Sequence, residues 1–126
     1  FSRVRNHNLV LVNSRGYGWS NYAIEIERPV NLDKHNITYT AKGQTGNEYL
    51  TLAIADVNNT SYRMEKDLSG VLTKEWKKYS IDFKSVKDTP LDIENVSVIK
   101  FEFGTLTVGN TRNATIFLKD IYLTKK

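Results

Sequence analysis

A two-residue rhythm of apolar and polar side chains runs through most of the chain and constrains its fold more than any other feature. Successive side chains of a β-strand point to opposite faces, so strict alternation marks a strand with one buried face. Tyr22, Ile24 and Ile26 share one parity, and Glu25 and Glu27 the other. Ile37, Tyr39 and Ala41 alternate with Thr38 and Thr40, and Leu50, Leu52 and Ile54 with Thr51 and Ala53. Tyr79, Ile81 and Phe83 alternate with Ser80 and Asp82, and Ile99, Phe101 and Phe103 with Lys100 and Glu102. A last strand runs from Thr115 to Leu123. The residues are β-branched and aromatic, as strands prefer. Turn signals separate the runs at Arg15-Gly16-Tyr17-Gly18, residues 31–36, 42–47 and 56–61, and Gly109-Asn110. Residues 88–94 have room for one short turn of helix, and no stretch holds helical periodicity over three turns. Six or seven strands at this spacing predict an all-β fold, an antiparallel β-sandwich, as a single domain over residues 1–126.

Two segments break the rhythm. Residues 8–13, Asn-Leu-Val-Leu-Val-Asn, are apolar on both parities, which is expected of a strand covered on both faces, by its own domain or by a neighbour. In the last strand Ile116 and Leu118 share one parity while Ile121 and Leu123 share the other. If all four face the core, a β-bulge lies at Lys119-Asp120. The alternative keeps Phe117, Ile121 and Leu123 on the core face with Lys119 at its rim.

Composition narrows the function classes. There are no cysteines, which excludes a disulfide scaffold, a thiolate metal site and a cysteine nucleophile. The formal net charge is +4, but the lysines are scattered, and the densest runs (residues 74–78 and 125–126) are too short for a nucleic-acid footprint. No apolar stretch approaches the ~20 residues of a membrane-spanning helix. The chain begins at Phe1 without a signal-like segment, as a processed or excised product would. N-glycosylation patterns begin at Asn36, Asn58, Asn59, Asn95 and Asn113, and such sites belong to surface loops of extracellular proteins, secreted or at the cell surface. The two histidines, His7 and His35, sit in polar segments and read as solvated side chains, and no phosphate-cradling loop, zinc spacing or nucleophile elbow is present.

The run Ile37-Thr-Tyr-Thr-Ala-Lys-Gly43, the strand from Tyr49 to Asp56, the run Trp76-Lys-Lys-Tyr79-Ser-Ile81 and the closing Ile116-Phe-Leu-Lys-Asp120-Ile-Tyr-Leu123 follow one another in a familiar order. Together, over about Tyr22 to Leu123, they resemble carbohydrate-binding modules of the galactose-binding-domain-like jelly-roll type. The resemblance implies two sheets packed face to face, a glycan bound on one sheet or on the loops at one end, and a structural calcium near the meeting of the chain ends. In that pattern the closing strand carries two adjacent acids. Here Lys119 takes the first place, and Asp120 is the remaining candidate ligand.

Sugar recognition needs aromatic faces for the apolar C–H side of a pyranose and polar groups for its hydroxyl rim. Tyr39, Tyr79, Phe83, Phe101 and Phe103 lie on core parity, and Trp76 opens a strand at the position where the family has a core residue. The outward positions of the central strands (Thr38, Thr40, Thr51, Ala53, Lys78, Ser80, Lys100 and Glu102) are polar and almost without aromatics. This moves the expected ligand contacts toward loops and strand starts: Tyr17, Trp19 and Tyr22 in one glycine-flanked cluster, Tyr49, and Tyr62 with Arg63. The expected function is therefore a non-catalytic extracellular module that attaches a parent protein to a polysaccharide or other glycan. The alternative is a structural subunit of an extracellular assembly such as a filament, tube or surface layer, in which residues 8–13 self-associate by strand donation to a neighbour.

Overall fold

The computed structural model describes the backbone of residues 5–6, 10–14, 19–46, 48–64, 72–104 and 114–126, and the side chains of 22–46, 48–63, 72–102 and 115–126. Among these residues the chain forms nine strands: β1 (Arg5–Asn6), β2 (Val10–Ser14), β3 (Trp19–Val30), β4 (His35–Gly43), β5 (Thr51–Asp56), β6 (Ser61–Met64), β7 (Lys77–Ile81), β8 (Val96–Gly104) and β9 (Ala114–Lys125). Sheet A has the order β1-β9-β4-β7, with β2 also paired to β9 beyond β1, and sheet B has the order β3-β8-β5-β6. Every pairing is antiparallel. The architecture is the expected antiparallel sandwich. The short helical turn expected within residues 88–94 is instead split into two 3-10 turns, Lys84–Asp88 and Ile93–Asn95. Asp92 caps the second by accepting from the Glu94 N–H, which ends the intervening stretch as a bend.

The alternation seen in the sequence explains the core. Sheet A turns Ile37, Tyr39, Ala41, Ile81, Ile116, Leu118, Ile121 and Leu123 inward, and sheet B turns Ile26, Leu52, Ile54, Ile99 and Phe101 against them. Tyr39 and Phe101 join the two layers edge to face, with ring centroids 5.1 Å apart. Tyr79, half-buried, stacks on Tyr39 at 5.4 Å. Burial, and secondarily the neighbouring Tyr79, pushes the Tyr39 hydroxyl far above its ordinary pKa, so it is protonated at neutral pH. Leu32, Phe83, Val86, Leu91, Ile93 and Val96 close one end of the sandwich.

Register defines both of the irregular segments. In β9, Tyr122 pairs with Thr38 and Lys119 with Thr40, so Asp120 and Ile121 together face the single residue Tyr39. One extra residue sits in β9, with Asp120 in the left-handed region at φ 52. This is the β-bulge that the parity switch predicted, and all four aliphatic residues face the core. The alternative that put Phe117 on the core face is ruled out. Strand β2 pairs with β9 of its own chain, Val10 opposite Leu118, Leu11 opposite Phe117 and Val12 opposite Ile116. Its two apolar parities therefore register with both a core row and an outer row of β9. A third irregularity, between Glu25 and Val30 on β3, contains Pro29, which has no N–H to give to a ladder.

Candidate functional site

The bulge rearranges the outer face of sheet A. Phe117 and Tyr122 have opposite parities and would lie on opposite faces of a regular strand. With one residue inserted between them, both face outward from the same sheet. Cross-strand register then builds rows on that face. Phe117 pairs with Lys42, and Trp76 lies just before β7 on the far side of Lys42; Lys119 and Lys78 flank Thr40; Tyr122 and Ser80 flank Thr38.

Trp76 is half-buried and stands outside the core cluster. Its ring meets Phe117 edge to face, with centroids 6.5 Å apart and planes at 69°. The Lys119 ammonium lies 4.2 Å from the Trp76 ring centroid and that of Lys42 lies 4.8 Å away; Lys42 is also 5.3 Å from the Phe117 centroid. The expectation that Trp76 is a core residue, and that the outward sheet face lacks aromatics, is therefore corrected. Trp76, Phe117 and Tyr122 form an aromatic row on that face. The segment leading to Trp76 is held against the end of β4 by Gly43 N–H donating to Thr73 O at 2.8 Å. A side chain at Gly43 would collide with the Glu48 carboxylate, so a larger residue there would have to push that side chain aside.

Beside this row lies a depression of about 450 Å³ lined by Asn36, Thr38, Lys78, Tyr79, Ser80, Tyr122, Thr124 and Lys125. Its floor is polar: Thr38 Oγ1 bonds to the Thr124 hydroxyl and donates to Ser80 Oγ at 3.4 Å. Lys78 is 5.7 Å from the Tyr122 ring centroid. Its ammonium is held above its ordinary pKa, chiefly by donating to the Tyr122 hydroxyl and also by the charge of Asp120. Asn36 Oδ1, also at this depression, is buried with no hydrogen-bond partner. The face thus combines ring surfaces with hydroxyl, amide and ammonium groups, the two components that a sugar requires.

The residues singled out in the sequence are distributed differently. Tyr17 and Asn113 lie outside the described residues, as does His7. Trp19 begins β3 opposite Gly104. Tyr22 is half-buried and packs on the core from β3, so it is on the inner face of sheet B. Tyr49 is half-buried beside β5. Tyr62 and Arg63 do meet, in a smaller depression of about 240 Å³ on sheet B with Ala53, Ala55, Ser61, Lys100 and Glu102. There Tyr62 packs against the core, and Arg63 Nε donates to Glu102 at 2.7 Å. Asn58, Asn59 and Asn95 are exposed, and Asn36 is half-buried. His35 is half-buried, its Nδ1–H donating to Asn31 O at 2.9 Å.

Asp120, the candidate calcium ligand, sits at the bulge of β9. Calcium takes six to eight oxygens. Among the described residues no three of His, Cys, Asp and Glu come together, and the Asp120 carboxylate lies in the field of the Lys78 ammonium. Among the described residues no helix is long and apolar enough to cross a membrane.

Comparison with known proteins gives these features a family. The model of carbohydrate binding domain 30 matches residues 3–125. The family 30 carbohydrate-binding module of the cellulosomal cellulase Cel9D-Cel44B of Clostridium thermocellum superposes with a TM-score of 0.70 at 13% identity, over 94% of this chain and 75% of that one. A family 11 module from Clostridium thermocellum, in complex with a β-1,3-1,4-mixed-linked tetrasaccharide, gives 0.62 at 12% identity over 99% of this chain and 88% of that one. An agarase, AgWH50C, gives 0.68 at 10% identity over 98% of this chain but 22% of its own length. No curated protein matches at the level of sequence. These likenesses establish the sandwich fold, and the family match over nearly the full length establishes more. The chain belongs to the carbohydrate binding domain 30 family and is a non-catalytic carbohydrate-binding module.

Proposed function

We propose that the outer face of sheet A is the surface on which this module holds its polysaccharide, and that it works outside the cell, keeping the protein that carries it on that polymer. One observation supports this above the others: Trp76, from just before β7, and Phe117 and Tyr122, both from β9, are brought onto one face beside a polar depression. Among the described residues none of these three half-buried rings belongs to the core cluster, which the sandwich buries on the other face. The family 11 module of similar fold was seen with a β-1,3-1,4-mixed-linked tetrasaccharide, which makes β-linked polysaccharides the first ligands to try. Tyr17 and Trp19 remain proposed as secondary contacts before and at the start of β3, and Tyr22, Tyr49, Tyr62 and Arg63 as contacts away from this face.

Native affinity gels cast with mixed-linkage β-glucan, xyloglucan, xylan, mannan, agarose, pectin or alginate test this directly. Retardation of the wild type by at least one polymer, weakened by Trp76→Ala and Tyr122→Ala and unchanged by Lys84→Ala in the exposed 3-10 turn, is the expected result. Trp19→Ala in the same gel tests the secondary contacts. Free migration in every gel would remove the assignment. The extracellular assembly alternative requires residues 8–13 to leave their own chain; β2 is paired to β9 here, and a monomer by size-exclusion chromatography would count against donation. Glycosylation at Asn58, Asn59 or Asn95 is compatible with a free sheet A face, because all three are exposed and none lines its depression. A sugar on Asn36 would stand in it.

A further inference from the structure

The charge on this face identifies its ligand further than the family does. Elsewhere among the described residues, Lys87 pairs with Asp33 at 2.9 Å and Lys126 with Asp82 at 2.6 Å, while Lys34, Lys74, Lys77, Lys84 and Lys100 form no ion pair and lie over no ring. On sheet A, Lys42, Lys78 and Lys119 instead hold their ammoniums over aromatic rings, at 4.2 to 5.7 Å from the centroids, and among the described residues none of the three forms an ion pair. Lys125 lines the same depression. The one carboxylate in the adjoining strand is Asp120, beside the bulge. Lys78 and Lys119 flank Thr40 on the neighbouring strands, about 10 Å apart across two strand spacings, and Lys42 lies two residues along β4 from Thr40.

A neutral sugar stacking on Trp76 would compete with the two ammoniums for that ring, and each one returned to water weakens the stacking. A sugar carrying negative charge would displace them onto its own anionic groups, so the same movement forms ion pairs. We propose that the polysaccharide bound by this face is acidic, and that Lys42, Lys78 and Lys119 pair with its carboxylates or sulfate esters while Trp76, Phe117 and Tyr122 take its ring faces. The proposal rests on the assignment of the glycan surface above and deepens it.

Affinity gels and isothermal titration with polygalacturonate and alginate (carboxylates), carrageenan (sulfate esters) and mixed-linkage β-glucan (neutral) test it at low and high salt. The expected result is stronger binding to one of the acidic polymers than to the neutral one, weakened by salt because exposed charges are screened. Preference for the uronates or for carrageenan then distinguishes carboxylate from sulfate. The triple variant Lys42→Gln/Lys78→Gln/Lys119→Gln should lose about tenfold in affinity for the acidic polymer, the sum expected of three exposed ion pairs. A control of equal charge, Lys34→Gln/Lys84→Gln/Lys87→Gln, should lose less than twofold. Equal losses in the two variants would reduce the effect to the net charge of the whole chain and overturn the proposal. Neutral-glucan binding that is as tight as acidic binding and indifferent to salt and to the triple variant would also overturn it, while leaving the glycan surface intact. Wild-type binding to none of the polymers would instead sink the surface assignment itself. Melting curves for each variant show whether folding is retained, and the salt titration of the wild type decides the matter independently of any variant.

Discussion

Trp76→Ala separates glycan contact from packing, because the two roles predict opposite patterns of loss. An indole exposes on the order of 200 Å². One face against a sugar ring takes a quarter to a half of that out of water, and the sugar loses a matching area, so on the order of 100 Å² of apolar surface is buried in all. At about 25 cal/mol per Å² this contributes about 2.5 kcal/mol, or a 50- to 100-fold change in affinity. Moving an ammonium off the ring costs about 0.5–1 kcal/mol for each of Lys42 and Lys119, which leaves about 0.5–1.5 kcal/mol, so the net loss on truncation is about 2- to 12-fold. The cost to stability comprises the edge contact with Phe117, about 0.5–1.5 kcal/mol, and the two exposed cation–π contacts, which are not fully additive. About 1–2 kcal/mol in total corresponds to about 3–12 °C in melting temperature for a domain of this size. Phe101→Ala supplies the reference for true packing: it is fully buried against Tyr39, and its truncation costs about 3–5 kcal/mol. Isothermal titration against whichever polymer retards the wild type, with thermal melts of both variants, provides the comparison. If Trp76→Ala binds within twofold of wild type, or melts as low as Phe101→Ala, the residue is a packing element and the site has been placed wrongly.

The bulge is open to a backbone test. Because Asp120 sits at φ 52, Asp120→Gly should keep both the fold and glycan binding, whereas the β-branched Asp120→Val should lower stability by about 1–2 kcal/mol in urea unfolding; equal midpoints would deny the left-handed geometry. Acid should weaken the protein through Asp56, whose carboxylate accepts from the Asp92, Asn58 and Thr60 N–H groups at 2.8, 2.8 and 3.0 Å and is thereby held below its ordinary pKa of 3.8, Asp92 contributing most. A depressed folded pKa stabilises above the unfolded value and is lost as pH falls through the folded one. The stability gap between wild type and Asp56→Asn should therefore be full above pH ~5 and close below 3.8, and a gap independent of pH would contradict it. Chelator tests the proposed calcium at Asp120: a metal bound only to the native state raises apparent stability, so a melting temperature lowered by chelator would support the ion and one indifferent to chelator would remove it.

The period-two pattern was enough, without coordinates, to specify an antiparallel sandwich and most of its core, because the alternation of side chains is a local property of every strand. Tyr39, Ile99, Phe101 and Leu52 lie where their parity puts them. The parity switch in β9 even signalled the bulge, since four aliphatic residues cannot share one face of a regular strand across Lys119-Asp120. The binding face was not legible in the same way. Trp76 looked like a core residue because the family resemblance has one at that position, and its strand begins after it, so parity offered no check. Phe117 and Tyr122 looked like residues of opposite faces because the bulge's consequence for them depends on which alternative the core adopts. Lys42, Trp76 and Phe117 are neighbours only through the β9-β4-β7 register, a non-local pairing that no periodicity encodes. Local stereochemistry thus determined which way most side chains point, and only the tertiary pairing of strands decided which outward-pointing ones meet.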